Sequence, residues 1–211
     1  MFENCYFITG TAYAGKSTVV KQLAEAYGGI ACEENYHDAL LDELDPAEFP
    51  NLTYTRDLQD WRDFIRRTPD EAERWADAVA KECEILELRI LRGLEQPQKM
   101  VFVDTNISTE TLHEIAAENH VLVMLTDPEI SVRRFFERPD REKQFLYRLL
   151  TEEPDPEQAM ENFRLYLMRM NSPERNQRYR DAGFPVLERD DRRSIAETVQ
   201  LAAQMLGLVP C

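Results

Sequence analysis

Residues Gly10-Thr11-Ala12-Tyr13-Ala14-Gly15-Lys16-Ser17-Thr18 place two glycines, a lysine and two hydroxyls at the spacing G-x-x-x-x-G-K-[ST], a combination suited to holding phosphate. Glycine at positions 10 and 15 lets the backbone curl without a Cβ clash, so the loop N–H groups, those of Ala14 and Gly15 included, turn inward as an anion nest. Lys16 brings a cation to the β- and γ-phosphates and qualifies as a catalytic group. Ser17 offers its hydroxyl to Mg²⁺, and Thr18 is placed for an α-phosphate contact. A chance glycine turn is the plain alternative. Against it, the apolar run Cys5-Tyr6-Phe7-Ile8 precedes the loop and the amphipathic face Val19, Val20, Leu23, Ala24 follows it, which is the strand, loop and helix order the chemistry needs.

Other residues suit the same chemistry. Asp104 ends the apolar run Val101-Phe102-Val103, where a carboxylate can hold Mg²⁺ directly or through water; a polar turn residue capping the next helix is the alternative. The acidic run Glu33-Glu34-Asn35-Tyr36-His37-Asp38 follows a short apolar stretch and reads either as a source of a general base or as a solvated loop, with His37 a weak candidate for substrate contact. Arg134 and Arg138 lie four apart, the spacing of one helical face, before Pro139 and Arg141. Between positions 54 and 75, Arg56, Arg62, Arg66, Arg67 and Arg74 alternate with Tyr54, Trp61, Phe64 and Trp75. That mixture binds rings and anions, or it is an ordinary amphipathic helix pair; the helical spacing of Trp61, Phe64 and Ile65 favours core packing.

The scaffold that must position these groups is legible in the hydrophobic pattern. Apolar runs at 5–9, 29–32, 100–103, 121–125 and 184–187 alternate with helical patterns, which predicts an α/β fold with a mostly parallel sheet covered on both faces. Thr68-Pro69-Asp70-Glu71 is a capping box with proline at the first helical position, and the pattern it opens runs to Gly93. Asp155-Pro156 opens another helix that Pro173 interrupts, and Ser194-Ile195-Ala196-Glu197 opens the last. The segment 36–98 is too long for a simple crossover and is expected to be a helical insertion after the second strand. Ligands of open α/β sheets lie beyond the carboxyl ends of the strands, so such an insertion is placed to cover a substrate; a purely structural one is the alternative.

At 211 residues and 43% hydrophobic, the chain fits a single domain, 1–211. A net charge of −15 argues against a surface for nucleic-acid polymers or anionic lipid, so any phosphate site must be a local cation cluster. Cys5, Cys32, Cys83 and Cys211 form no C-x-x-C pair, and with three histidines the expectation is reduced thiols and no structural zinc. Without an apolar run approaching about 18 residues or a basic, apolar leader, neither a membrane span nor a signal peptide is expected, and the expected location is cytoplasmic.

With those features assembled, the chain resembles the P-loop kinase group that includes nucleoside monophosphate kinases, deoxynucleoside kinases and shikimate kinases. The resemblance rests on Gly10 to Thr18, on Val121 to Ile130 followed by Arg133, Arg134, Arg138 and Arg141, and on Phe184-Pro185-Val186-Leu187-Glu188-Arg189-Asp190-Asp191. It implies a P-loop NTPase three-layer sandwich with a five-stranded parallel sheet in the order 2-3-1-4-5, an arginine-bearing lid after strand 4 (131–150), and a turn after strand 5 that lies against adenine. It further implies ATP and Mg²⁺ as cofactors, Glu33 as the base that takes the proton of a substrate hydroxyl, and Arg134, Arg138 and Arg141 as lid cations, Arg138 and Arg141 foremost. The loop reads Thr-Ala-Tyr-Ala where adenylate-type kinases carry proline and a further glycine, and the D-G-[FY]-P-R signature is absent, so the resemblance reaches the group and not one family within it.

The expected activity is therefore transfer of the γ-phosphoryl group of ATP to a small-molecule acceptor, a nucleoside or nucleotide being one class, with a homodimer left open. A nucleotide-binding switch or ATPase that acts through a protein partner is the alternative, and the lack of an N-K-x-D motif weighs against it.

Overall fold

Alternate residues of a strand point to opposite sheet faces, and in this chain both alternating sets are apolar, the pattern of a sheet buried on both sides. The computed structural model describes residues 2–94, 99–137 and 141–209. Its strands are β1 (Cys5–Gly10), β2 (Ile30–Cys32), β3 (Val101–Asp104), β4 (Val121–Leu125) and β5 (Val186–Glu188). They form one five-stranded, all-parallel sheet in the order β2-β3-β1-β4-β5, the order expected from the resemblance. Each strand falls on one of the apolar runs. β5 starts two residues late because Pro185 has no N–H to give the ladder; its carbonyl instead accepts from Val123 N at 2.9 Å.

The helices are α1 (Lys16–Tyr27), α2 (Leu52–Asp57), α3 (Arg62–Ile65), α4 (Pro69–Gly93), α5 (Thr109–Ile115), α6 (Pro128–Arg134), α7 (Arg141–Thr151), α8 (Pro156–Met170), α9 (Pro173–Asp181) and α10 (Ile195–Met205). A 3-10 helix covers Tyr36–Glu43. The caps read from sequence form: Thr68 and Glu71 bond reciprocally before α4, Asp155 accepts from Gln158 N before α8, and Ser194 and Glu197 close a capping box before α10. The helix opened by Asp155-Pro156 ends at Met170, ahead of Pro173 as expected, and Pro173 then opens α9, a position that needs no N–H. α6 stops at Arg134, where Phe135 N turns back to Val132 O, and Phe135 and Phe136 pack on Phe163. Arg138 itself lies outside the described residues.

The chain divides into two compact units, and one of the crossings between them, from Glu82 to Cys83, falls inside α4. The first comprises 1–39, 83–126 and 176–211 and holds the sheet. On one sheet face Ile8, Phe102, Leu122 and Met124 meet Val19, Val20 and Leu23 of α1 and Ala202 and Ala203 of α10. On the other, Phe7, Val101, Val103 and Val121 meet Leu91 of α4 and Leu112 of α5. The second unit comprises 40–82 and 127–175, and its core joins Ile65 of α3 to Leu146, Leu149 and Leu150 of α7 and Phe163 and Leu167 of α8. Trp61 and Phe64 pack against that core, as their spacing suggested. No helix among the described residues is long and apolar enough to cross a membrane.

Candidate functional site

Gly10 is the last residue of β1, opposite Met124 of β4, with φ +125°; a Cβ there would meet Met124 O at 1.9 Å, so the turn into the loop admits only glycine. The next residue ties the loop to β4 twice. Thr11 N donates to Met124 O at 3.0 Å, and Thr11 Oγ1 accepts from Thr126 N at 3.0 Å. Tyr13 and Gly15 are also left-handed, at φ +65° and +94°. Successive turns of this kind draw the backbone into a concave path. On the far side, Arg189 donates to Tyr13 O. No side chain caps the start of α1, so the first N–H donors of the helix have no side-chain acceptor, the condition under which a helix N-terminus can take an anion.

The charged centre sits one strand away. Parallel pairing sets Asp104 at the carboxyl end of β3, beside Ile8 of β1. There, 5% exposed, it accepts from Ser17 Oγ at 2.7 Å and stands 3.7 Å from Lys16 Nζ, which also donates to Thr11 O at 3.3 Å. Burial raises the Asp104 pKa above the ordinary carboxylate value; Lys16 and the Ser17 hydrogen bond oppose that rise, while Glu34 and Glu87 add to it. Asp104 does not cap α5. Ser108 does so, accepting from Thr111 N. Lys16, Ser17 and Asp104, picked from distant stretches of sequence, therefore form one contact group under the glycine loop.

The residues after Asp104 are held by a carboxylate that sequence reasoning missed. Glu87 of α4, with no exposure, accepts from Thr105 Oγ1 at 2.7 Å, Asn106 N at 3.1 Å and Asn106 Nδ2 at 2.9 Å. Its signal was its place: four after Cys83 and next to Leu86, it lies on the apolar face of α4, where an acid needs partners. His37 is buried, with Nε2 3.4 Å from Cys83 Sγ and Nδ1 3.5 Å from Glu87. Burial pushes the Cys32 thiol up to about 11, with Glu87 adding to the rise, in keeping with its place in the core.

Between the loop and the turn after β5 lies a cavity of about 320 Å³ lined by Ala14, Thr18, Val19, Met124, Leu187 and Ile195, with Arg189 and Arg193 at its polar side. Arg193 is fixed by donating to Glu188 O. Glu188, Asp190 and Asp191 also belong to the lining, which is therefore part apolar wall and part charged rim. The remaining sequence candidates fall as follows. Glu33 and Glu34 are exposed just past β2, and of the two Glu34 acts on Asp104 electrostatically. In the second unit, Arg134 ends α6 half-buried and Arg141 opens α7 exposed. Among the described residues no group of three or more His, Cys, Asp or Glu side chains is arranged to hold a metal ion.

No family model and no curated protein matches the chain. Among solved structures it is similar to the crystal structure of TT1252 from Thermus thermophilus, with a TM-score of 0.50 and 21% identity over 99% of this chain and 100% of that one. The likeness is one of fold.

Proposed function

We propose that the chain is a P-loop phosphotransferase of the small-molecule kinase group, moving the γ-phosphoryl group of ATP to a hydroxyl- or phosphate-bearing acceptor such as a nucleoside or nucleotide. The observation that carries this is the Ser17–Asp104 hydrogen bond at 2.7 Å with Lys16 at 3.7 Å, beneath a loop whose backbone turns at Gly10, Tyr13 and Gly15. Structural glycine turns do not need a buried carboxylate, a hydroxyl and an ammonium gathered at the start of an uncapped helix; a bound nucleoside triphosphate does.

The donor set fits Mg²⁺: one carboxylate and one hydroxyl, both oxygen, are what this ion takes from a protein when phosphates and water complete an octahedron. Bound there, Mg²⁺ would neutralise charge on the β- and γ-phosphate oxygens. Asp104 and Ser17 are the residues that would hold it. The loop N–H groups and Lys16 orient the phosphates, and the 320 Å³ cavity beside Arg189 takes the base. The acceptor hydroxyl oxygen forms the new P–O bond as the bond to the ADP oxygen breaks. Its proton passes to a carboxylate at the end of β2, Glu33 or its neighbour Glu34. Arg138 and Arg141, with Arg134, are assigned the charge-neutralising role.

The test is turnover. Purified chain with ATP and Mg²⁺ is incubated with a panel of nucleosides, nucleotides and small hydroxy acids, and ADP is measured together with phosphorylated acceptor. ADP formation that depends on one acceptor class supports the proposal. Tight ATP binding with no acceptor turned over, or with nucleotide-dependent capture of a protein instead, sinks it in favour of a switch.

A further inference from the structure

A second cavity lies wholly within the second unit, with a volume of about 460 Å³ and a lining that includes Asn51, Arg66, Arg67, Arg74 and Trp75. Three guanidinium groups share this lining with two carboxylates, Asp63 and Glu71, a local excess of cations in a chain at −15. Arg66 is committed: Nε and Nη2 clasp Glu153 at 2.7 and 3.1 Å. Arg67 and Arg74 form no ion pair among the described residues, and Arg67 Nη1 is buried without a hydrogen-bond partner. Glu71, also in the lining, is held by the Thr68 amide and hydroxyl; Arg74 and Arg67 act on it electrostatically without forming an ion pair.

Arg67 is also held still. Its guanidinium lies 4.0 Å from the Tyr54 ring centroid, 5.3 Å from that of Trp75 and 5.8 Å from that of Phe64, a stack that fixes the plane of the fork. Besides the open cavity it borders a void of about 10 Å³, room for no more than a single water. The cavity wall is braced as well: Trp75 Nε1 donates to Asn51 O at 3.2 Å, and Asn51 donates through N and Nδ2 to the buried Glu82 at 3.0 and 2.6 Å. The covered Nη1 is not open to the cavity; a planar cation held by rings that lines an open cavity with the rest of its fork is a pre-organised oxyanion receptor, because two parallel N–H groups match the two oxygens of a phosphate or carboxylate.

We propose that this cavity binds the oxyanion group of a small molecule, phosphate or carboxylate, with Arg67 and Arg74 as its ligands. This rests on the phosphotransferase reading only for the further statement that the small molecule is the phosphoryl acceptor; the binding itself stands on the second unit alone.

The test separates the two. In a Lys16→Met, Trp61→Phe background Trp75 is the sole tryptophan, and its emission is followed while inorganic phosphate, phenyl phosphate and benzoate are titrated at constant ionic strength. Saturable change is expected with at least one probe, and comparison of the phosphate and carboxylate arms assigns the class. Arg67→Gln and Arg74→Gln should each weaken that probe by about tenfold or more, a loss equal to one charge-assisted contact. Arg74 is exposed, so its variant reads out even where Arg67→Gln unfolds, and melting curves identify that case. No saturation with any probe, or affinities unchanged in Arg74→Gln and a folded Arg67→Gln, overturns the site. Saturation without acceptor turnover by the wild-type chain leaves the oxyanion site standing and removes the kinase reading.

Discussion

Asp104 is buried, yet only its ionised form can hold a cation, and Lys16 and Ser17 are the groups that oppose the rise in its pKa that burial causes. Replacing Lys16 by Met should raise the Asp104 pKa further, as a pH titration of the carboxyl ¹³C resonance would show; an unchanged or lower value contradicts the coupling. The linkage follows in sign. A carboxyl whose folded pKa is raised binds its proton more tightly when folded, so its contribution favours folding at acid pH and is lost as pH rises through the folded pKa. His120 runs the other way. Burial lowers its pKa against the opposing hydrogen bond to Cys5 O, so stability is full above the ordinary imidazole pKa and falls as pH drops through it; His120→Gln should flatten that slope in urea melts taken between about pH 7 and 5. At this scale Lys16, Ser17 and Asp104 were readable because spacing and strand ends mark them. Glu87 was not, since a single acid on an apolar helix face has no periodic signature, and only the fold reveals that Thr105 and Asn106 are its partners.

Elements bring the site together through two close fits. Gly10→Ala forces a Cβ into Met124 O in a left-handed backbone, and should cost about 3 kcal/mol or more in stability while displacing the loop. Glu87→Ala strands the donors of Thr105 and Asn106 behind β3, an expected loss on the order of 3 kcal/mol, together with weaker nucleotide binding because the support behind Asp104 is gone. Denaturant midpoints and nucleotide titration of both variants measure these effects; a wild-type midpoint in either removes the corresponding contact from the account. The sheet and its caps were legible because parallel strands buried on both faces leave continuous apolar runs, and capping residues act locally on the backbone. The end of α6 was not legible, because the packing of Phe135 and Phe136 on Phe163, a contact made far along the chain, has no local signature. The arginine cavity was legible in composition but not in role: spacing separates core from surface, and cannot say that Arg66 is paired while Arg67 is stacked and short of acceptors.

Across the whole molecule, a charge of −15 makes any strong affinity for a polyanion a local achievement of loop N–H groups and a few cations. Binding only to the folded chain should stabilise it by about 2.7 kcal/mol when free Mg-ATP is a hundred times its Kd, and a guanidinium melt with and without ligand would record this. The central claim is that the loop from Gly10 to Thr18, with Asp104 beneath it, holds a magnesium-bound nucleoside triphosphate. Calorimetric titration of ATP into the full chain, with and without Mg²⁺, tests it most directly, run in parallel on Lys16→Met. The expected result is saturable binding that strengthens with Mg²⁺ and is lost in Lys16→Met; binding indifferent to both, or absent from the wild-type chain, would contradict it.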